Sequence, residues 1–129
     1  MMAGFEQVPE DELAQRWELA ERVVSELRRA GLPSSLFGRG EPSIGAVVAV
    51  DSGIDTLGGV WVDWRVGADL SAVIHEAVLS RRSDEPALQH FGNITQNMAR
   101  AIAAILRSAG LRADTGSNEE SPNSVSVEN

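Results

Sequence analysis

The sequence predicts an α+β fold in which about three antiparallel strands pack on about three helices, in the order α-β-β-α-α-β, as a two-layer sandwich. Three observations carry that prediction. Apolar residues recur at helical spacing in three separate stretches. They alternate with a period of two in two adjacent stretches whose connection is too short for a crossover helix. They alternate once more near the C-terminus.

The first helix spans residues 9 to 30, where Leu13, Trp17, Ala20, Val24 and Leu27 fall on one face and Val23 widens it. Pro9 suits its first turn, Glu10, Asp11 and Glu12 complement the positive end of its dipole, and Arg28 and Arg29 the negative end. Gly31, Leu32 and Pro33 then make a Schellman ending. Residues 33 to 43 are rich in Pro, Gly and Ser and read as a loop.

Two strands follow. Ile44, Ala46, Val48 and Val50 share one face of Ile44 to Asp51, and Val60, Val62, Trp64 and Val66 share one face of Gly59 to Val66. The turn-forming residues between them make the pair an antiparallel hairpin. Asp69 is placed to cap a helix from Leu70 to about Arg82, with Leu70, Val73, Ile74, Ala77 and Val78 as its stripe. Asn93 and Gln96 match a capping box at the head of a further helix whose stripe is Ile94, Met98, Ala101, Ile102, Ile105, Leu106 and Ala109. Leu106 to Leu111 repeats the Leu-Arg-x-Ala-Gly-Leu of Leu27 to Leu32, a match that shared C-cap chemistry explains more simply than duplication. A third strand is expected at residues 123 to 128 from Val125 and Val127, with a stub at Leu111 to Ala113. The domain reading is an acidic N-terminal extension at 1–8, one α+β domain at 9–113, and a polar acidic tail at 114–129; a chain of 129 residues leaves room for one core.

Charge narrows the range of partners. Residues 13 to 113 carry eleven acids and eleven arginines, so the whole net charge of −8 lies in the acidic ends. Nucleic acid and anionic membrane surfaces, which need clustered bases, are disfavoured. The absence of cysteine excludes disulfides, thiol nucleophiles and cysteine metal sites, and the absence of lysine excludes a P-loop or a Schiff base. The apolar run at Ala46 to Val50 is too short to span a bilayer, and a cytoplasmic location is expected.

Catalytic groups are scarce. His75 opens a His-Glu pair, but Leu79 stands where a zinc-binding helix needs its second histidine, so no metal ligand set is assigned. His90 has no nucleophile at a telling spacing. Asp51-Ser-Gly53-Ile-Asp55 shares the oxygen spacing of a calcium loop but lacks its later glycine and glutamate, so it reads as a hairpin turn. Gly38-Arg-Gly40 lacks the flanking strand and helix of a dinucleotide site. No catalytic residue and no cofactor is assigned.

The informative feature is the back of the hairpin, where Gly45, Val47 and Ala49 face the same way as Trp61, Asp63 and Arg65. Tryptophan beside arginine on a flat surface is the composition of binding hot spots, so Trp61, Val47, Asp63 and Arg65 are the partner-binding candidates. The opposing reading is that helices cover both faces and Trp61 is core.

Gly58-Gly-Val-Trp-Val-Asp-Trp64, Leu70-Ser-Ala-x-x-x-Glu-Ala77, Glu85-Pro-Ala-Leu-Gln-His90 and Ile105-Leu-Arg-Ser-Ala-Gly-Leu111 together resemble small uncharacterised actinobacterial proteins of type VII secretion and toxin gene neighbourhoods. That resemblance covers about residues 57 to 111 and implies an immunity-type binding role. Its motifs are packing and capping residues, and no site residue is carried over from it.

The leading expectation is therefore a non-enzymatic protein-binding module that neutralises a cognate, basic toxin. The first alternative is a small enzyme or ligand-binding domain with a cleft between the 51–58 loop and His90, using Asp51, Asp55, Asp84 and Glu85. The second is a homodimer joined through sheet edges or the Trp61 face.

Overall fold

The structure, a computed structural model, describes residues 7–39, 44–53, 59–116 and 122–129. In chain order the elements are α1 (Glu10–Arg29), β1 (Ser34–Leu36), β2 (Gly45–Val50), β3 (Val60–Arg65), α2 (Ala68–Leu79), α3 (Pro86–Ser108), β4 (Arg112–Thr115) and β5 (Val125–Glu128). The α+β class and the three helices are as expected. The sheet differs from expectation: among the described residues it has five strands rather than about three and is mixed, in the order β1-β2-β3-β5-β4. β1 pairs parallel to β2, and every other pairing is antiparallel.

α1 and α3 lie side by side on one face of this sheet. Leu19, Ala20, Val23, Val24 and Leu27 of α1 and Ala99, Ile102, Ala103 and Leu106 of α3 share one buried cluster with Ala46, Val48, Val60, Val62, Ala113, Val125 and Val127. Those strand positions are the alternate residues that the period-two pattern sends to one side. α2 packs on α3 and buries only Ala77. Val73 and Val78 of its expected stripe are exposed.

The repeated Leu-Arg-x-Ala-Gly-Leu does the same work twice. At the end of α1 the Leu32 N–H donates to Leu27 O at 3.0 Å and the Gly31 N–H to Arg28 O at 2.9 Å; at the end of α3 Leu111 donates to Leu106 O and Gly110 to Arg107 O, both at 3.0 Å. Gly31 and Gly110 take φ of 94° and 90°, the left-handed conformation this ending requires. The likeness extends further than capping. Arg28 Nε donates to Ser34 O at 3.0 Å and Arg107 Nε to Ala113 O at 2.7 Å, six residues on in each case, so each helix end fastens the strand that follows it. Those strands, β1 and β4, are the two edges of the sheet.

Two helix boundaries fall elsewhere than expected. α3 begins at Pro86, so Asn93 and Gln96 lie inside it rather than at its head. Proline at the first helical position costs nothing there, because its missing N–H would have no partner. α2 ends at Leu79, before Arg82, in a third Schellman pairing in which Arg82 donates to Ala77 O and Arg81 to Val78 O. Here Arg81 occupies the left-handed position, at φ 55°. Asp69 makes no side-chain capping bond, and Gly67 precedes the helix.

Candidate functional site

Among the described residues no helix lies on the other face of the sheet. Pairing places Trp61 of β3 between Ala49 of β2 and Ser126 of β5, and Asp63 beside Val47, so the odd positions of β2 and β3 meet as the alternation requires. Arg65 lies opposite Gly45. The candidates Trp61, Val47, Asp63 and Arg65 are thus brought together on one face, and Trp64 stands on the other, packed against the core. Val47 is only 5% exposed and forms the floor of this face, while Trp61 is half-buried and Asp63 and Arg65 are exposed.

Residues outside the hairpin complete the surface. Phe37, just beyond β1, is 58% exposed, and the Arg65 guanidinium lies over its ring at 5.7 Å. Ser124, ahead of β5, donates its hydroxyl to Asp63 Oδ1. Between these groups runs a groove of about 440 Å³ lined by Phe37, Ala49, Val50, Asp51, Ser52, Trp61, Asp63 and Ser124. Phe37 had no signal in the sequence, since it sits in a stretch read as loop, and Ser124, within the strand expected at 123 to 128, was not singled out.

One end of the groove is held by an arginine from the helical side. Arg16 of α1 donates to Asp51 O and to Gly53 O, the latter at 3.0 Å, and lies so close to Gly59 that a Cβ there would fall 2.5 Å from its Nε. The Asp51 carboxylate accepts from the Gly53 N–H at 2.7 Å, the local turn bonding expected of Asp-Ser-Gly. Asp55 lies outside the described residues. Val8, buried, donates its N–H to Ser52 O at 2.9 Å, which ties the N-terminal segment to the same corner.

The groups assigned to an enzymatic cleft stand apart from each other. Asp51 lines the open-face groove, whereas Asp84 and Glu85 lie at the α2–α3 junction, with Glu85 paired to Arg82 at 3.6 Å, and His90 is exposed near the start of α3. Among the described residues no three of His, Asp and Glu gather as a metal site.

A second hollow, of about 610 Å³, lies between α1 and β1 and is lined in part by Arg28, Arg29 and Arg39. Its cations are already engaged: Arg28 with Ser34 O, Arg29 with Glu26 at 3.4 Å, and Arg39 with Glu21 at 3.9 Å and with the Trp17 ring at 4.7 Å. Among the described residues no helix is long and apolar enough to cross a membrane. Comparison of the chain with protein-family models, curated proteins and solved structures finds no match.

Proposed function

We propose that the protein is a non-enzymatic, cytoplasmic protein-binding module of the immunity type, which neutralises a basic toxin by receiving it on the open face of the sheet. The observation that carries this reading is the uncovered face itself, with Trp61 at its centre, Phe37 and Arg65 beside it and Val47 beneath. Aromatic and arginine side chains on a rigid, partly desolvated surface supply most of the energy in protein interfaces. A strand-borne site also holds its side chains with little ordering cost. The acidic ends would speed the approach of a basic partner.

The poverty of catalytic groups favours binding over reaction. Ser124 donates to the Asp63 carboxylate, and both histidines, the side chains best suited to activate a hydroxyl, lie on the helical layer. The edges of the sheet are poor places for strand addition. On β1 the Ser34 and Leu36 carbonyls are taken by Arg28 Nε and the Arg39 N–H, and on β4 the Ala113 carbonyl is taken by Arg107. The open face, where Trp61, Asp63 and Arg65 gather, is the surface this reading assigns to a partner or a second copy.

Co-expression with a toxin gene of the same locus tests the reading. The expected result is rescue of growth and a stoichiometric complex on gel filtration, both lost with Trp61→Ala. No rescue and no complex with the unmodified chain would remove it.

A further inference from the structure

We infer that the open-face groove is a receptor for a single arginine side chain of the protein partner, with the guanidinium seated on Trp61 and facing Asp63 and Asp51. The inference rests on the binding-face reading and adds the chemistry of the contact.

The charge of the groove is unbalanced. Asp51 and Asp63 both line it, and among the described residues neither carboxylate is in an ion pair. Each accepts a bond at Oδ1, Asp51 locally from the Gly53 N–H and Asp63 from the distant Ser124 hydroxyl, and these bonds hold the carboxylates in place without neutralising them. Arg65, two residues from Asp63 on the same strand face, stacks on Phe37 instead of pairing with it. The stretches that join the groove-lining residues, 54–58 and 117–121, contain no arginine or lysine and contain Asp55, Glu119 and Glu120. Among the described residues Arg16, at one end of the groove, is engaged by the Asp51 and Gly53 carbonyls and by Glu12, and no base is paired with either carboxylate.

The lining then selects among cations. An indole and two carboxylates lining one groove suit a planar, weakly hydrated guanidinium, which stacks on indole and bonds carboxylates through a fork of donors, better than the compact, strongly hydrated ammonium of lysine. The chain makes guanidinium–aromatic contacts of its own, with Arg39 over Trp17 at 4.7 Å and Arg65 over Phe37 at 5.7 Å. A groove of about 440 Å³ has room for one such side chain with its stem.

The test uses the full chain, isotopically labelled, titrated with N-acetyl-arginine amide and with its neutral isostere N-acetyl-citrulline amide. The expected result is a saturable shift of the Trp61 indole N–H signal with the arginine probe, at least about fivefold weaker with citrulline and with Asp63→Asn. Asparagine still accepts from Ser124, so the fold is preserved while the charge is lost. Equal response to citrulline, no response at Trp61, or indifference to Asp63→Asn and Asp51→Asn would each overturn the inference. Displacement of the probe by calcium ions at equal concentration would overturn it too, by making the pair of carboxylates an inorganic cation site. Concentration-dependent self-association abolished by Asp63→Asn would replace the partner with a second copy, and so overturn it as stated. A partner whose binding needs Trp61 but ignores Asp63→Asn would leave the binding-face reading standing and the arginine receptor refuted. An arginine-specific groove in a chain that rescues no toxin would do the reverse.

Discussion

The two faces of the sheet are built from the same strands, and they differ in what successive positions along each strand carry. The face under α1 and α3 presents Ala46, Val48, Val60, Val62, Val125 and Val127, all fully or almost fully buried. The opposite face presents Trp61, Asp63, Arg65, Ser126 and Asp114, with exposed charge one residue away from complete burial. The first is what a jigsaw core requires, small branched side chains that meet helices without voids. The second has the aromatic, guanidinium and carboxylate content of a surface that meets something else. Alternate residues of one strand thus serve the core and, on the proposed reading, recognition.

If the helical face carries the stability, the largest loss should come from its centre. Ile102, on α3 and 1% exposed, touches the buried valines of the sheet. Ile102→Ala should cost roughly 3 to 4 kcal/mol in urea denaturation, through lost burial and the cavity left behind. A cost below about 1 kcal/mol would break the comparison, because the helices would then not be what the sheet is folded against. Trp64→Ala should follow at about 2 to 3 kcal/mol, toward the low side for tryptophan because Trp64 is already half-exposed at the margin of the core.

The contrast between the faces was largely legible in the sequence, since strict alternation in 44–51 and 59–66 assigns each side chain to a face before any pairing is known. The two glycine helix ends were legible for the same local reason. What escaped was whatever depends on distant contacts. β1 is three residues, Ser34–Leu36, too short to show a period, and it exists because Arg28 and β2 give its backbone partners. The start of α3 was displaced because Asn93 and Gln96 mimic a capping box inside a helix that Pro86 had already begun. Nothing in the helical pattern singles out Arg16, and only the fold shows that it holds the corner of the hairpin loop. The groove was half legible. Trp61 and Asp63 belong to the alternating strand, and Asp51 and Ser124 fall at the ends of expected strands, but that these meet across the sheet, and that Phe37 joins them from a stretch read as loop, is not something alternation can show.

The edges sharpen the comparison from the side. Arg107 donates to Ala113 O at 2.7 Å and pairs with Asp114 at 3.3 Å, and Arg28 holds β1 in the corresponding way. Arg107→Met keeps the aliphatic stem and removes the donor, and should cost about 1 to 2 kcal/mol in thermal melts, since a charged donor to a partly buried carbonyl is lost. Joined with Arg28→Met it should raise the tendency to self-associate in light scattering, because both outer strands then offer unpaired carbonyls. A double variant that stays monomeric and fully stable would show that the two arginines decorate the edges without guarding them.

The smallest loss of stability is expected where the largest loss of binding is. Trp61→Ala removes a ring that no helix covers, so it should cost under about 1.5 kcal/mol of folding stability while weakening partner association by about 2 kcal/mol or more. Fluorescence in a variant that keeps Trp61 as its sole tryptophan, with Trp17 and Trp64 changed to Phe, should be accessible to a soluble quencher in the free protein and shielded in the complex. The same pair of substitutions, Trp61→Ala against Trp64→Ala, tests the register of the hairpin, since a slip of one residue exchanges the two rings between faces. Pairing of Ala49 with Trp61 and of Ala46 with Trp64 sets which ring meets the helices. If Trp61→Ala proved as damaging to folding as Trp64→Ala, with its fluorescence already shielded in the free chain, both faces would be core, and no open surface would be left to receive a partner.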